Sequence, residues 1–186
     1  MMDRLLRTAV WMSFWTVFAA AWLSGCAGPR SALHPEAGRI DAQIAALQTR
    51  LKGLGAATDP DEARRVAQTA VTDSLRLAEE YRVATPARWH NLLIQMGFRE
   101  RGLCFHWTED LMKRLQALNL KTYQLHWGVA HPGSDLREHN SVVITARDQP
   151  FETGLVLDPW RNSGELYWAA ARQDDYPWEP LPPDQW

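Results

Sequence analysis

The spacing of apolar residues changes once along this chain, and that change sets its fold class. Up to about residue 118 the apolar side chains recur every three or four positions, the period of an amphipathic helix. From residue 121 they alternate, the period of a strand with one buried face. A helix-period segment cannot rest as a strand, because its apolar residues would fall on both faces of a sheet. Helices first and consecutive strands after predict an α+β fold: N-terminal helices followed by an antiparallel sheet packed on a cysteine-bearing helix.

Ile40, Ile44, Leu47 and Leu51 form the inner stripe of a first helix over residues 36–51, stopped by Gly53-Leu54-Gly55. Asp59-Pro60-Asp61-Glu62 reads as a helix start, with Asp59 as N-cap, proline in the first turn and acids at the positive end of the dipole. That helix runs to about residue 81, with Val66, Ala70, Leu77 and Tyr81 inward, so residues 36–82 form a helical hairpin. A third helix fits 87–96, carrying Trp89, Leu92, Leu93 and Met96, and Gly97 closes it. A loop over 98–103 opens a fourth helix at Cys104, with Leu111, Leu115 and Leu118 inward. Strands follow over 121–130, 139–146 and 154–157, with a short fourth from residue 165. The tail over 176–183 holds Pro177, Pro180, Pro182 and Pro183, which cannot pair in a central strand, so it is expected to lie across the surface.

At the N-terminus, Arg4 and Arg7 precede an apolar run over 9–23 that is too short and too early for a membrane-spanning helix. It ends in Leu23-Ser24-Gly25-Cys26, which resembles a bacterial lipoprotein signal with its lipobox. The resemblance implies that residues 1–25 are a cleaved signal peptide, that Cys26 carries lipid, and that residues 26–35 tether the protein to a membrane. Ala27, in place of Asp, implies the outer membrane of a bacterial envelope, with the domain facing the periplasm. An ordinary secretory signal or an uncleaved anchor is the alternative reading of the same run.

The chain has two cysteines, so a lipid on Cys26 leaves Cys104 as the only thiol. Export to an oxidising compartment favours paired cysteines, and an unpaired one marks either an intermolecular bridge or a reactive thiol. Cys104 stands at the first turn of a helix, whose partial positive charge favours thiolate. His139 begins the second strand and Asp158 follows the third. In an antiparallel pair the start of one strand lies beside the end of its neighbour, so the two side chains can meet at one edge of the sheet. Cys104 is then the candidate nucleophile, His139 its base and Asp158 the group that orients the imidazole. Backbone N–H groups at the helix start would face a developing oxyanion, with Gln95 and Trp107 as side-chain candidates beside them and Asn140 as an alternative orienter or substrate contact. Each residue also has a plainer reading: Cys104 as a small buried apolar residue, His139 as a structural strand end, Asp158 before Pro159 as a turn opener.

Three short motifs, Gly102-Leu103-Cys104-Phe105, His139 before Val142-Val143, and Leu157-Asp158-Pro159-Trp160, together resemble the transglutaminase-like branch of the papain-like cysteine enzymes over about residues 89–168. The resemblance implies a papain-like α+β domain over 83–186. It also implies acyl chemistry on amides: attack by Cys104, a thioester, then release to water or an amine. Asn140 stands where that family often has an aromatic, and the family includes inactive scaffolds, so a lipid-anchored adaptor is the competing function. Thiol acyl chemistry needs no cofactor. The location implied by Cys26 makes an envelope protein or a peptidoglycan peptide the expected substrate. A metal site is not expected: Cys104, His106, His126, His131 and His139 include neither a Cys-x-x-Cys pair nor a His-Glu-x-x-His helix. A net charge of −2, with no run of Lys or Arg, argues against nucleic acid as a partner.

Overall fold

The helices form where the apolar period is 3.6, and each is closed by identifiable chemistry. The computed structural model describes residues 34–186, with side chains from Glu36 onward; the expected signal peptide and Cys26 lie outside the described residues. Helix α1 spans His34–Lys52 and α2 spans Pro60–Glu80, the second opened by Asp59, whose carboxylate accepts from the N–H groups of Asp61 and Glu62. Helix α3 spans Ala87–Gln95 and α4 spans Cys104–Gln116. Among the described residues no helix is long and apolar enough to cross a membrane.

Five strands follow: β1 Tyr123–Ala130, β2 His139–Ala146, β3 Leu155–Asn162, β4 Glu165–Ala170 and β5 Trp178–Leu181. Each neighbouring pair is antiparallel, in the order β4-β3-β2-β1-β5. The described residues are thus α+β, with four α-helices and an antiparallel sheet. Leu47 and Leu51 of α1, Val66 and Ala70 of α2, and Leu111 and Leu115 of α4 share one core with Val142 and Ile144 of β2 and Leu155 and Leu157 of β3. Gly38–Trp186 therefore forms a single unit around that core. Central β2 is buried along its whole length, with a smaller cluster of Val143, Phe151, Val156 and Ala171 on the sheet's other face.

Two features depart from the sequence reading. The tail does not merely cross the surface: Trp178–Leu181 pairs with Trp127–Ala130 as an edge strand. An edge position tolerates Pro180, since one side of such a strand needs no ladder bonds, and Trp178 packs on Val143, Phe151 and Val156. Strand β3 does not stop at Leu157 but continues to Asn162. Its pairing with β2 ends at Leu157, and its register with β4 is irregular between Asp158 and Asn162, which accommodates Pro159 and its missing N–H. On α3 Trp89 and Leu92 are exposed, as is Met96 just after it. That helix docks through Ala87 and His90, which are buried, and through Asn91, which accepts from Trp160 Nε1 at 3.1 Å.

Candidate active site

The loop before Cys104 is held from four directions. His90 Nε2 donates to Arg101 O at 2.9 Å, and Trp107 Nε1 donates to Gly102 O at 2.9 Å. Arg101 reaches forward to Glu109 and Asp110 of α4, each at 2.9 Å. His106 Nδ1 accepts from the N–H groups of Gly102 and Leu103, both at 3.2 Å, which supplies the reach-back half of a capping box in place of the usual Glu or Gln. Burial, and then the nearby Arg101 charge, push the His106 pKa down, so the ring is the neutral acceptor this cap requires. Gly102 has φ +123°, and a Cβ there would overlap the His90 ring, so glycine is required. Cys104 follows as the first residue of α4, where the backbone N–H groups of the opening turn have no partner within the helix.

His139 and Asn140 are adjacent on β2 and therefore face opposite sides of the sheet. Asn140 lies on the side of Val142 and Ile144, which pack against α4, whereas His139 lies on the side of Val143, Val156 and Trp178. His139 is only 2% exposed, and its ring donates from Nε2 to Asp158 Oδ2 at 2.7 Å. Burial opposes charge on the imidazole, but hydrogen bonding and charge attraction from Asp158, and then from Cys104, raise its pKa to about 9. The net direction favours the protonated ring. Three aromatic rings enclose it, Trp160 and Tyr176 at 4.7 Å and Trp178 at 5.4 Å between centroids, and shield it from solvent.

Asp158 is fully buried and accepts three hydrogen bonds: His139 on Oδ2, Arg161 Nε on Oδ2 at 3.1 Å, and the Arg161 N–H on Oδ1 at 3.2 Å. Arg161 then forks onto Asp174 at 2.8 and 2.9 Å, between the rings of Tyr167 and Tyr176. Burial works against the charge of Asp174, but hydrogen bonds from Arg161 and Trp178 hold its pKa below the ordinary carboxylate value. The result is a buried line of alternating charge from His139 through Asp158 and Arg161 to Asp174.

Among the other site candidates, Asn140 reaches the thiol: Nδ2 lies 3.9 Å from Cys104 Sγ. Trp107 is buried against Tyr81, with ring centroids 4.8 Å apart, and its one N–H is spent on Gly102 O, so it positions the loop and has no donor left for an oxyanion. Gln95 is exposed at the end of α3, and among the described residues no hydrogen bond joins it to Cys104, His139 or Asp158. His126 lies against Thr145 and Phe151, away from the thiol's partners.

Sequence pattern alone does not single out Arg161, Asp174, Tyr176 or Trp178. Arg161 follows the Asp158 motif by three residues and carries no pattern of its own. The signal for the others is the tail's aromatic content, since a surface strap bearing Tyr176 and Trp178 has to cover something apolar. The fold and site define a class only in physical terms, an α+β domain with a thiol at a helix N-terminus and a buried imidazole–carboxylate pair beside it. Comparison with known proteins gives no match: no family model, no curated relative and no solved structure corresponds to this chain.

Proposed function

We propose that this chain is a papain-like, transglutaminase-like cysteine enzyme that breaks or transfers amide bonds through a thioester. The observation that carries the reading is the His139 ring, which is bound to Asp158 at 2.7 Å, raised in pKa to about 9 and in electrostatic contact with Cys104 at the first residue of α4. The thiolate of Cys104 adds to the amide carbonyl, forming the C–S bond and moving the carbonyl π pair onto oxygen. When that pair returns, the C–N bond breaks and the amine departs with the proton of the His139 imidazolium. His139, now neutral, takes a proton from water or from an incoming amine, whose attack on the thioester frees Cys104. Asp158 keeps the ring in register and stabilises its charged form throughout.

The motif at Leu23-Ser24-Gly25-Cys26 supports a lipid-anchored location at the bacterial outer membrane, facing the periplasm, with an envelope protein or a peptidoglycan peptide as substrate. Alkylation of the reduced chain with iodoacetamide tests the chemistry. Cys104 is expected to react rapidly at pH 6, and more slowly when His139 is replaced by Ala. Reaction only at alkaline pH, or only after unfolding, makes the domain a lipid-anchored adaptor instead. Complementation of a deletion strain by Cys104→Ala would also sink the enzyme reading.

A further inference from the structure

Asn140 lies between the thiol and Trp127, and its amide can point only one way. Trp127 Nε1, a donor with no acceptor capacity, is 2.7 Å from Asn140 Oδ1. The NH2 end is thereby turned toward Cys104 Sγ, at 3.9 Å, and Glu138 Oε1, at 3.4 Å. Glu138 is itself held, because its other oxygen accepts the Gly133 N–H at 2.8 Å. One amide hydrogen serves Glu138 and the other faces the sulfur. Trp127 is opposite Val142 in the β1–β2 register, which makes it the diagonal, same-face neighbour of Asn140. The Asn140 residue is only 8% exposed, so bulk water does not compete for this donor.

We propose that Asn140 is the side-chain oxyanion donor of this site, and that Trp127 is the positioning residue that aims it. The proposal rests on the acyl-transfer reading above. As the C–S bond forms, negative charge collects on the former carbonyl oxygen, which lies next to the sulfur. A useful donor sits roughly 2.7–3.1 Å from that oxygen rather than from the sulfur itself. An amide nitrogen 3.9 Å from Sγ meets this requirement for an oxygen set to one side of the line joining them, at the apex of a triangle, without displacing the thiol. The backbone N–H of Cys104, in the opening turn of α4, is the second donor. Asn140 keeps all its protons through the cycle, since it only donates hydrogen bonds, while His139 carries the transferred proton.

Two probes of the reduced full chain separate an oxyanion donor from a residue that merely supports the thiol. Iodoacetamide alkylates sulfur by displacement at a saturated carbon and forms no oxyanion. p-Nitrophenyl acetate acylates sulfur through a tetrahedral oxyanion and releases p-nitrophenolate as the thioester forms. Asn140→Ala is expected to slow p-nitrophenolate release roughly 10²-fold, with the alkylation rate and its pH profile within about twofold of the parent. Trp127→Phe keeps the ring and removes only the N–H, and is expected to slow release roughly 10-fold with alkylation unaffected. A parallel fall in both rates, or wild-type acylation in either variant, overturns the proposal. Should Asn140→Ala fail to fold, Trp127→Phe alone decides the comparison. A wild-type thiol that alkylates but never acylates overturns the oxyanion assignment, whereas a folded wild-type thiol inert to both probes overturns the acyl-transfer reading beneath it.

Discussion

Asp158 and Arg161 are joined twice, once through the Arg161 backbone N–H and once through its guanidinium. The first bond closes the irregular end of β3 around Pro159; the second brings a cation to a carboxylate that already serves His139. Asp158 is therefore a structural cap and the orienter of the imidazole at once. The proline that makes the strand irregular also sets Trp160 and Arg161 where they reach His139 and Asp174.

Replacing Asp158 by Asn keeps the shape and removes the charge. The His139 pKa, raised first among its favourable partners by Asp158, is expected to fall toward its ordinary value. Acylation by p-nitrophenyl acetate should drop by roughly 10⁴-fold, the scale seen when the orienting carboxylate of a triad is made neutral. NMR titration of the His139 ring checks the cause: an unchanged His139 pKa in Asp158→Asn would mean that the carboxylate is not what holds the proton.

Arg161 separates two carboxylates whose side chains are almost wholly out of solvent. Arg161→Met leaves both without their shared cation and is expected to cost roughly 3–5 kcal/mol of stability, as when one partner of a buried pair is removed. Adding Asp174→Asn removes one of the stranded charges, so the double variant should regain part of that loss. Urea unfolding of the single and double variants reads the coupling; strictly additive losses would show that the two residues act independently.

Helix and strand types are legible in the sequence because each follows from a local period. The second strand, over 139–146, matches β2 at both ends. The meeting of His139 and Asp158 follows from antiparallel geometry, although the sequence places Asp158 at the end of a strand that in fact continues past Pro159. What sequence could not supply is long-range pairing. The tail's four prolines speak against a strand, and only the apolar pocket under Trp178 makes an edge strand there favourable. The direction of the Asn140 amide is equally hidden, since it depends on Trp127 across the sheet.

His106 offers a separable test of the cap that presents Cys104. Its Nδ1 accepts two backbone N–H groups, so His106→Ala leaves both without that acceptor and should cost about 1 kcal/mol. His106→Gln retains an acceptor of the kind usual at this position and should lose less. Because burial holds the His106 pKa down, its contribution is complete above an unfolded value of about 6.5 and is lost as pH falls below it. Urea midpoints between pH 5 and 7 should therefore fall with pH in the parent, and less steeply in His106→Gln. Identical slopes would remove His106 from the account.

His139 predicts the opposite dependence on the alkaline side. Its pKa is raised from 6.5 to about 9 in the folded protein, so the fold binds a proton that the unfolded chain has released across that interval. The stability this supplies is complete below pH 6.5 and disappears as pH rises through about 9. A rise of that size corresponds to roughly 3 kcal/mol as an upper bound, because Asp158 and Cys104 both share in the interaction. Urea midpoints measured from pH 6 to pH 10 should decline over this range in the parent protein. The decline should flatten in Asp158→Asn, where the main support of the charged ring is gone, and also, less completely, in Cys104→Ala. A parent midpoint that stays level from pH 6.5 to 9.5 would mean that His139 is neutral in the folded state, and the imidazolium would then have to form during the reaction itself.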